Sequence, residues 1–350
     1  MTKSRRTIVT LGIGLVLILP FTECGLRLAE RGAATDSFAD RLLGRVLATE
    51  DRPSGADPVP HPHYGFTLQT STQRTIDGPT PYSIDTNQLG FRAKPPVTID
   101  QLPSNTMRVV VLGDDRLFGV GVDASNTFDA QLESVAAAET IQLDVLNYAL
   151  PGFNSVQALA VGRDLIPPLA PHHTVIGLSL EDDPLANTLV TLDEGRYLPL
   201  AGSREALRDE LLRRLDLGGG LALERRWALG PGARRLRYQM AEEPAVILRA
   251  VIVLQALNDV VTENGGHLTV LLFPPTESSS GSRWADWAGA SRITQTYANA
   301  LAIAGFETIT LPSRDIESNR QIARTVWPHL RSGGGRPTAE PAGTGRGGAD

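Results

Sequence analysis

The sequence predicts an α/β protein built on a doubly wound, five-stranded parallel sheet. From residue 108 onward, short apolar runs alternate with longer segments of helical pattern. This alternation is typical of parallel strands that are covered by helices on both faces. The predicted strands are 108–113, 143–149, 173–180, 267–275 and 306–311. We expect the strand order 2-1-3-4-5, with a ligand site beyond the carboxyl ends of the strands, where the order reverses.

Helical patterns fill the connections between these strands. The predicted helices are 126–138, 155–166, 245–264 and 297–305. The longest connection, about 185–245, is predicted to be a helical insert, because its segments 204–217 and 222–237 are amphipathic and rich in arginine.

The amino-terminal segment has the pattern of a membrane anchor. The basic stretch "KSRR" precedes an uncharged run of fifteen residues, 7–21, that ends before Glu23. A membrane span usually needs about 17–25 residues, so cleavage as a signal peptide is one alternative and lipidation of Cys24 is another. The nearest small-residue cleavage motif, 32–34, lies too far beyond the apolar run, and Glu23 disfavours lipidation of its neighbour. We expect a retained signal anchor over 1–32, single-pass in a bacterial cytoplasmic membrane, with the main domain on the exported side.

The rest of the chain divides by composition. We expect a stalk over 33–60, a small strand-rich lead-in over 61–105, a main domain over 106–340 and a flexible tail over 341–350. The net charge of -6 argues against nucleic-acid binding. The single cysteine excludes an internal disulfide and a cysteine-based metal site, and no motif indicates a cofactor.

Five segments of the chain, in order, resemble the sequence blocks of one family. They are "TNQLGFR" at 86–92, "VVVLGDDRLFGVGV" at 109–122, "LNYALPGFNSVQ" at 146–157, "VIGLSLEDDPLAN" at 175–187 and "HLRSGGGRPTAE" at 329–340. The family is that of the SGNH, or GDSL-like, hydrolases, and the resemblance is strongest to membrane-anchored bacterial members. It covers about residues 61 to 340 and implies the fold predicted above, with ester hydrolysis as the family's activity.

The positions that should carry this chemistry are replaced. In the family, a serine in the first block attacks the ester, and here Asp115 holds that position. The second block contributes an oxyanion-donating glycine, which is Gly152, whereas the donating asparagine of the third block becomes Glu181. The preceding Asp114 is expected to bond to the amides of its own turn.

The base of the family's triad falls on His329. An aspartate two or three residues before the histidine orients it in the family, but the chain has Val326 and Trp327 at those positions. Neither side chain can orient an imidazole. Of the family's catalytic set, the resemblance therefore leaves only Gly152 and His329.

Elementary chemistry makes these replacements severe. A carboxylate is a weak nucleophile toward an ester, and its acyl product is a mixed anhydride. The loss of one oxyanion donor already costs about 10²–10³ in rate. A carboxylate roughly 4–5 Å from the developing oxyanion adds on the order of 3–4 kcal/mol at an effective dielectric near 20. The sequence therefore predicts that Asp115 and Glu181 abolish serine-esterase chemistry.

Three classes of function remain open. The first is an exported, membrane-anchored binding or accessory module in envelope or polysaccharide metabolism, with a carbohydrate or an acylated envelope component as ligand. The second is an active ester hydrolase or O-acetyl-transferring enzyme that uses His329 and an unidentified nucleophile. The third is a Mg²⁺ or Ca²⁺ site, because clustered carboxylates attract these ions. Its candidate ligands are Asp114, Asp115, Glu181, Asp182 and Asp183.

The remaining histidines have weaker signals. His61 and His63 share a Pro-rich turn, for which a metal role is the minor interpretation. The pair His172 and His173 opens a predicted strand and is expected to be half-solvated.

Overall fold

The computed structural model describes residues 58–77, 81–96, 102–180, 183–203, 241–275, 283–311 and 319–333, with Leu43, Val46, Leu47, Ala206, Leu207 and Glu210. The strands are β1 Pro58–His61, β2 Gly65–Leu68, β3 Gln73–Ile76, β4 Tyr82–Asp85, β5 Thr106–Leu112, β6 Gln142–Asn147, β7 His173–Ser179, β8 Val190–Asp193, β9 Arg196–Pro199, β10 His267–Phe273 and β11 Glu307–Thr310. The helices are α1 Asp115–Phe118, α2 Phe128–Ala137, α3 Ser155–Leu169, α4 Asp183–Ala186, α5 Pro244–Glu263, α6 Arg283–Ile303 and α7 Asn319–Gly333.

The core of the fold is a five-stranded parallel sheet. Its order is β11-β10-β7-β5-β6, and every neighbouring pair in it is parallel. Numbered along the chain, this is the predicted order 2-1-3-4-5, and the prediction is confirmed. The three central strands, β5, β7 and β10, are largely buried because both faces of the sheet are covered, and every residue of β7 is buried.

Helices cover the two faces of the sheet in separate groups. Parallel strands that are joined through a helix make right-handed crossovers, so with this strand order the helix after β5 is expected on the face opposite to the helices that return toward β11. Accordingly α2 packs with α7, and α3 packs with α5. The approach of α3 to α5 depends on Gly162, where an added Cβ would lie only 2.6 Å from Leu257 Cδ1.

The lead-in forms two small antiparallel hairpins beside the main sheet, β1 with β2 and β3 with β4. Arg92, at the end of this unit, is 7% exposed and reaches into the main domain. Its Nη1 donates to Gly119 O at 2.8 Å, and its Nη2 donates to Val122 O at 2.8 Å and to Ser83 O at 2.7 Å. One guanidinium therefore joins the lead-in to the turn that follows β5.

Two predicted segments differ from the structure where it describes them. The insert expected to be helical over about 185–245 contains the hairpin of β8 and β9. Within the predicted stalk, Leu43 and Val46 are buried at 0% and 1% exposure, and Val46 O accepts a hydrogen bond from the Tyr197 hydroxyl. These two residues of the predicted stalk are therefore part of the core.

One helix in the described part of the chain, α5, has the length and apolar composition of a membrane span. Its buried side chains, including Leu254 and Leu257, face the core, and the helix packs against α3 and β10. Six of its twenty residues are buried, while Leu248 and Ile252 are 57% and 50% exposed. The predicted anchor over 1–32 lies outside the described residues.

Candidate functional site

The first block forms a tight turn at the carboxyl end of β5. Asp114 is 1% exposed and caps α1: its Oδ1 accepts a hydrogen bond from Arg116 N at 3.0 Å. This confirms the structural role predicted for Asp114. Asp115 is the first residue of the four-residue helix α1, is half-buried, and accepts from Gly119 N through its carbonyl at 3.3 Å. The structure thus presents Asp115 at the strand end where the family carries its nucleophile.

The helix that carries Asp115 packs closely over two glycines. Leu117 of α1 packs over Gly113 and over Gly177 of β7, and a Cβ built on Gly177 would lie 2.7 Å from Leu117 Cδ1. Arg116 lies over the Phe273 ring, with its guanidinium carbon 5.7 Å from the ring centroid. The helix that carries Asp115 is therefore held against β7 and β10 by close packing.

The second block lies directly beside the first. Leu150 N donates to Gly113 O at 3.0 Å, so the chain after β6 runs along the turn that leads to Asp115. Asn147 Nδ2 donates to Leu117 O at 2.8 Å and to Asp129 Oδ1 at 2.9 Å, which ties β6 to α1 and α2. Gly152 has a φ of 79°, a left-handed conformation that favours glycine. Its role as an oxyanion donor stays a prediction.

The third block reaches the same edge of the sheet. Asp183 is 3% exposed, and its Oδ2 accepts a hydrogen bond from Ser179 N at 2.9 Å, which closes the turn after β7. Glu181 and Asp182 lie outside the described residues. Among the residues that are described, no group of three or more His, Cys, Asp or Glu is arranged to hold a metal ion. The cation hypothesis therefore gains no support here, since Asp114 and Asp183 both serve their own turns.

His329 lies at the opposite end of the sheet. It is on the last turns of α7, and its Nδ1 is 3.1 Å from Oε1 of Glu307, the first residue of β11. Two residues later, Arg331 donates to Glu139 at the amino end of β6 at 2.6 Å. By contrast Asn319, which begins α7, reaches Asn126 O on the carboxyl side. The structure therefore does not bring His329 to Asp115, and the predicted block at 329–340 does not supply a base there.

The positions before His329 are part of the core. Val326 and Trp327 are 0% and 1% exposed, with Ile322, Ala323 and Leu330 on the same side of α7. An aspartate at 326 or 327 would be buried in this core and could not orient an imidazole. The sequence between Leu311 and Asn319, "PSRDIES", contains no histidine.

All six histidines of the chain lie in the described part, and each has a place away from Asp115. His63 Nδ1 is 2.9 Å from Asp164 Oδ2, and His61 stacks on Tyr64 with ring centroids 4.0 Å apart. The other four are His172, His173, His267 and His329, which lie at the amino ends of the strands. No imidazole is thus available as a base at the turn after β5, residues 113–122, which is called the strand-end turn below.

Of the pair at the start of β7, His172 is half-buried as predicted, whereas His173 is not. His173 is 1% exposed, and neither of its ring nitrogens has a hydrogen-bond partner among the described residues. Burial, with the neighbouring His267 and His172 as smaller causes, lowers the pKa of His173 to about 4. His172 instead accepts from Arg108 N through Nδ1 at 3.0 Å.

We expect this buried imidazole to make the fold acid-sensitive. The unfolded chain binds a proton at His173 below about pH 6.5 while the folded chain does not, so stability present above pH 6.5 is lost as the pH falls toward 4. Between pH 7.5 and 5.0 the loss should be about 2 kcal/mol. Urea unfolding at both values measures it. His173→Leu should remove most of this difference and His267→Leu, at an exposed position, should not. An equal loss in all three proteins would contradict the assignment.

The comparisons with known proteins concern the fold. No protein-family model and no curated protein matches the chain. Among solved structures, TesA is 15% identical with a TM-score of 0.39, covering 65% of this chain and 99% of TesA. The psychrotrophic esterase EstA from Pseudoalteromonas sp. is 15% identical with a TM-score of 0.33, covering 65% and 93%. The acetyl xylan esterase AlAXEase is 11% identical with a TM-score of 0.37, covering 64% and 99%.

The class of protein is defined by the fold. A parallel sheet of order 2-1-3-4-5 with helices on both faces is the doubly wound architecture that the resemblance to the SGNH hydrolases implies. The predicted fold is confirmed. Two of these solved structures, EstA and AlAXEase, are esterases by name, and at these TM-scores they carry no argument about the chemistry of this chain.

Proposed function

We propose that this chain is an SGNH-fold protein without serine-esterase activity, acting as a binding or accessory module in envelope or polysaccharide metabolism. One observation carries the proposal. The strand-end turn that should hold a serine and a base holds Asp115, while all six histidines are placed elsewhere. Without a base, even a serine at this position would keep its proton, because a hydroxyl becomes an effective nucleophile only when an adjacent group removes that proton.

The proposed location is the exported side of a bacterial cytoplasmic membrane. Support comes from the sequence, where basic residues precede the apolar run 7–21. The proposed ligand is a carbohydrate or an acylated envelope component, bound near the carboxyl edge where doubly wound folds hold their ligands. Neither the anchor nor the ligand is needed for the argument against esterase chemistry.

The proposal is tested by assaying purified full-length protein with p-nitrophenyl acetate at neutral pH. Wild type should show no turnover above the uncatalysed rate. Asp115→Ser should show none either, because no imidazole reaches the turn and Glu181 still replaces the family's oxyanion donor. Circular dichroism of each variant shows that it is folded, and a known serine esterase in the same buffer shows that the assay works.

Two variants separate this proposal from the enzyme alternative. His329→Ala removes the base that the alternative requires, and Asp115→Asn removes the carboxylate at the nucleophile position. If wild type hydrolyses the ester and either variant lowers that turnover at least tenfold, the chain is an enzyme and the proposal is wrong. Turnover that both variants leave unchanged would also overturn it, and would point to a nucleophile elsewhere.

A further inference from the structure

A cavity of about 280 Å³ lies between the lead-in and the main domain. Its wall is formed by the end of β4 and the turn after it, by residues 92–95, and by the start of α2 with the 3₁₀ turn before it. The polar side chains of the wall are Asp85, Thr86, Asn87, Arg92, Lys94, Thr127 and Asp129. Asp115 is not among the lining residues, so the cavity is separate from the strand-end turn.

Two buried side chains of this wall each have an N–H group that makes no hydrogen bond among the described residues. Asn87 and Arg92 are 6% and 7% exposed, and neither Asn87 Nδ2 nor Arg92 Nε has a hydrogen-bond partner among the described residues. The Oδ1 of Asn87 is engaged, since it accepts from Leu89 N and Phe91 N. A buried donor without an acceptor costs about 1–3 kcal/mol. Both residues line the cavity, but both atoms are covered by neighbouring atoms, so an entering oxygen reaches them only when the cavity wall rearranges.

The charges around the cavity favour a neutral ligand. Arg92 is surrounded by the carboxylates of Asp129, Asp85 and Asp123. Lys94, the other cation of the wall, bonds to two further carboxylates. The wall thus carries two carboxylates, Asp85 and Asp129, and two cations that already lie beside carboxylates, so it offers little attraction to a free anion. A neutral molecule with several hydroxyl groups fits better, because it donates to carboxylates and accepts from N–H groups at the same time.

We propose that this cavity binds a small, neutral, polyhydroxylated molecule of one ring, such as a monosaccharide or a cyclitol. Its hydroxyl groups donate to the carboxylates of Asp85 and Asp129, and its oxygens accept from Asn87 and Arg92. The cavity volume is near the lower end of small-molecule sites, about 300–1,000 Å³, which limits the ligand to one ring. The inference does not rest on the proposed function, because the residues of the strand-end turn take no part in it.

Direct binding to the full-length protein tests the inference. D-glucose and myo-inositol are the neutral probes, and sodium acetate is the anionic probe of similar polarity. Saturation-transfer NMR is the readout, because polyols raise the melting temperature of proteins in general by exclusion from the surface. Glucose or inositol should bind at millimolar concentration, and acetate should not compete.

Three variants locate the site. Ala124→Leu fills the cavity wall, and Ser125→Leu places the same side chain one residue along, outside the lining residues. Asn87→Asp keeps the Oδ1 acceptor and removes the Nδ2 donor. Ala124→Leu and Asn87→Asp should weaken binding at least tenfold, whereas Ser125→Leu should leave it unchanged. Binding of acetate alone, no binding of either neutral probe, or neutral binding that both site variants leave intact would each overturn the proposal.

Discussion

Replacing Asp144 by asparagine is expected to lower the free energy of unfolding by about 3–5 kcal/mol. Asp144 Oδ2 accepts from Arg108 Nε at 2.8 Å, and its Oδ1 is 2.9 Å from Lys94 Nζ. Arg108 is fully buried, and its Nη1 also donates to Leu169 O at 3.1 Å. The asparagine removes the negative charge while the guanidinium stays in the core. Because a whole domain is stable by about 5–15 kcal/mol, this one change should remove a large part of that stability.

The pH dependence of this pair has a definite sign. Burial alone would raise the pKa of Asp144, but hydrogen bonds from Lys94 and Arg108 outweigh burial and hold the pKa below its ordinary value. The carboxylate therefore contributes its stability above the unfolded pKa, near 3.9, and the contribution is lost as the pH falls through the lower, folded pKa. The pair of Asp144 and Arg108 should thus contribute its full stabilisation at neutral pH, where the variant is compared with wild type.

Urea unfolding of the purified proteins at pH 7.5 measures the effect of Asp144→Asn. The matched control is Asp193→Asn, at an exposed position of β8, which should change the free energy of unfolding by less than about 0.5 kcal/mol. The double variant Arg108→Met with Asp144→Leu should lose less than Asp144→Asn, since replacing both partners avoids burying an unpaired charge. A loss for Asp144→Asn as small as the control's would show that Lys94 and solvent satisfy the site.

Much of the fold could be predicted from the sequence because buried parallel strands leave a simple signal. The three central strands, β5, β7 and β10, each contain a buried apolar run, and the helices between the strands repeat with the period of an amphipathic helix. The hairpin of β8 and β9 was harder to predict. Its strands have only four residues each, and the arginine-rich segment beside them favours a helical interpretation of the whole insert.

The site was predictable in part. The first and second blocks lie together because their residues make the turns themselves: Asp114 caps α1, and Leu150 bonds to Gly113. The last block was placed wrongly on His329. Gly334 and Ala339 match the family spacing after it, but the tail beyond residue 331 is so rich in glycine and alanine that such a match occurs easily.

Helical spacing gave a better signal for the region around His329. Ile322, Val326 and Leu330 recur every four residues, which predicts a helix with these side chains in the core. His329 then falls on the exposed side of that helix, where it pairs with Glu307. The absence of an imidazole at the strand-end turn could not be deduced from sequence, because it depends on where all six histidines lie in the fold.

Replacing Arg92 by methionine should cost about 3–5 kcal/mol of unfolding free energy, which places it among the large effects of single substitutions. The change removes hydrogen bonds to the carbonyls of Gly119, Val122 and Ser83, and buried carbonyls left without a donor cost about 1–3 kcal/mol each. Arg92→Lys keeps the charge but not the fork that reaches three carbonyls at once, so its loss should be intermediate.

The matched control for Arg92→Met is Arg196→Met, at an exposed position of β9, and it should change stability by less than about 0.5 kcal/mol. Hydrogen exchange then tests what Arg92 does beyond general packing. Because its guanidinium joins the lead-in to the turn after Asp115, amides of residues 83–91 and 117–122 should exchange faster in Arg92→Met, whereas those of β10 should follow only the global stability. Uniform acceleration across the chain would refute the assignment of Arg92 as the link between the lead-in and the strand-end turn.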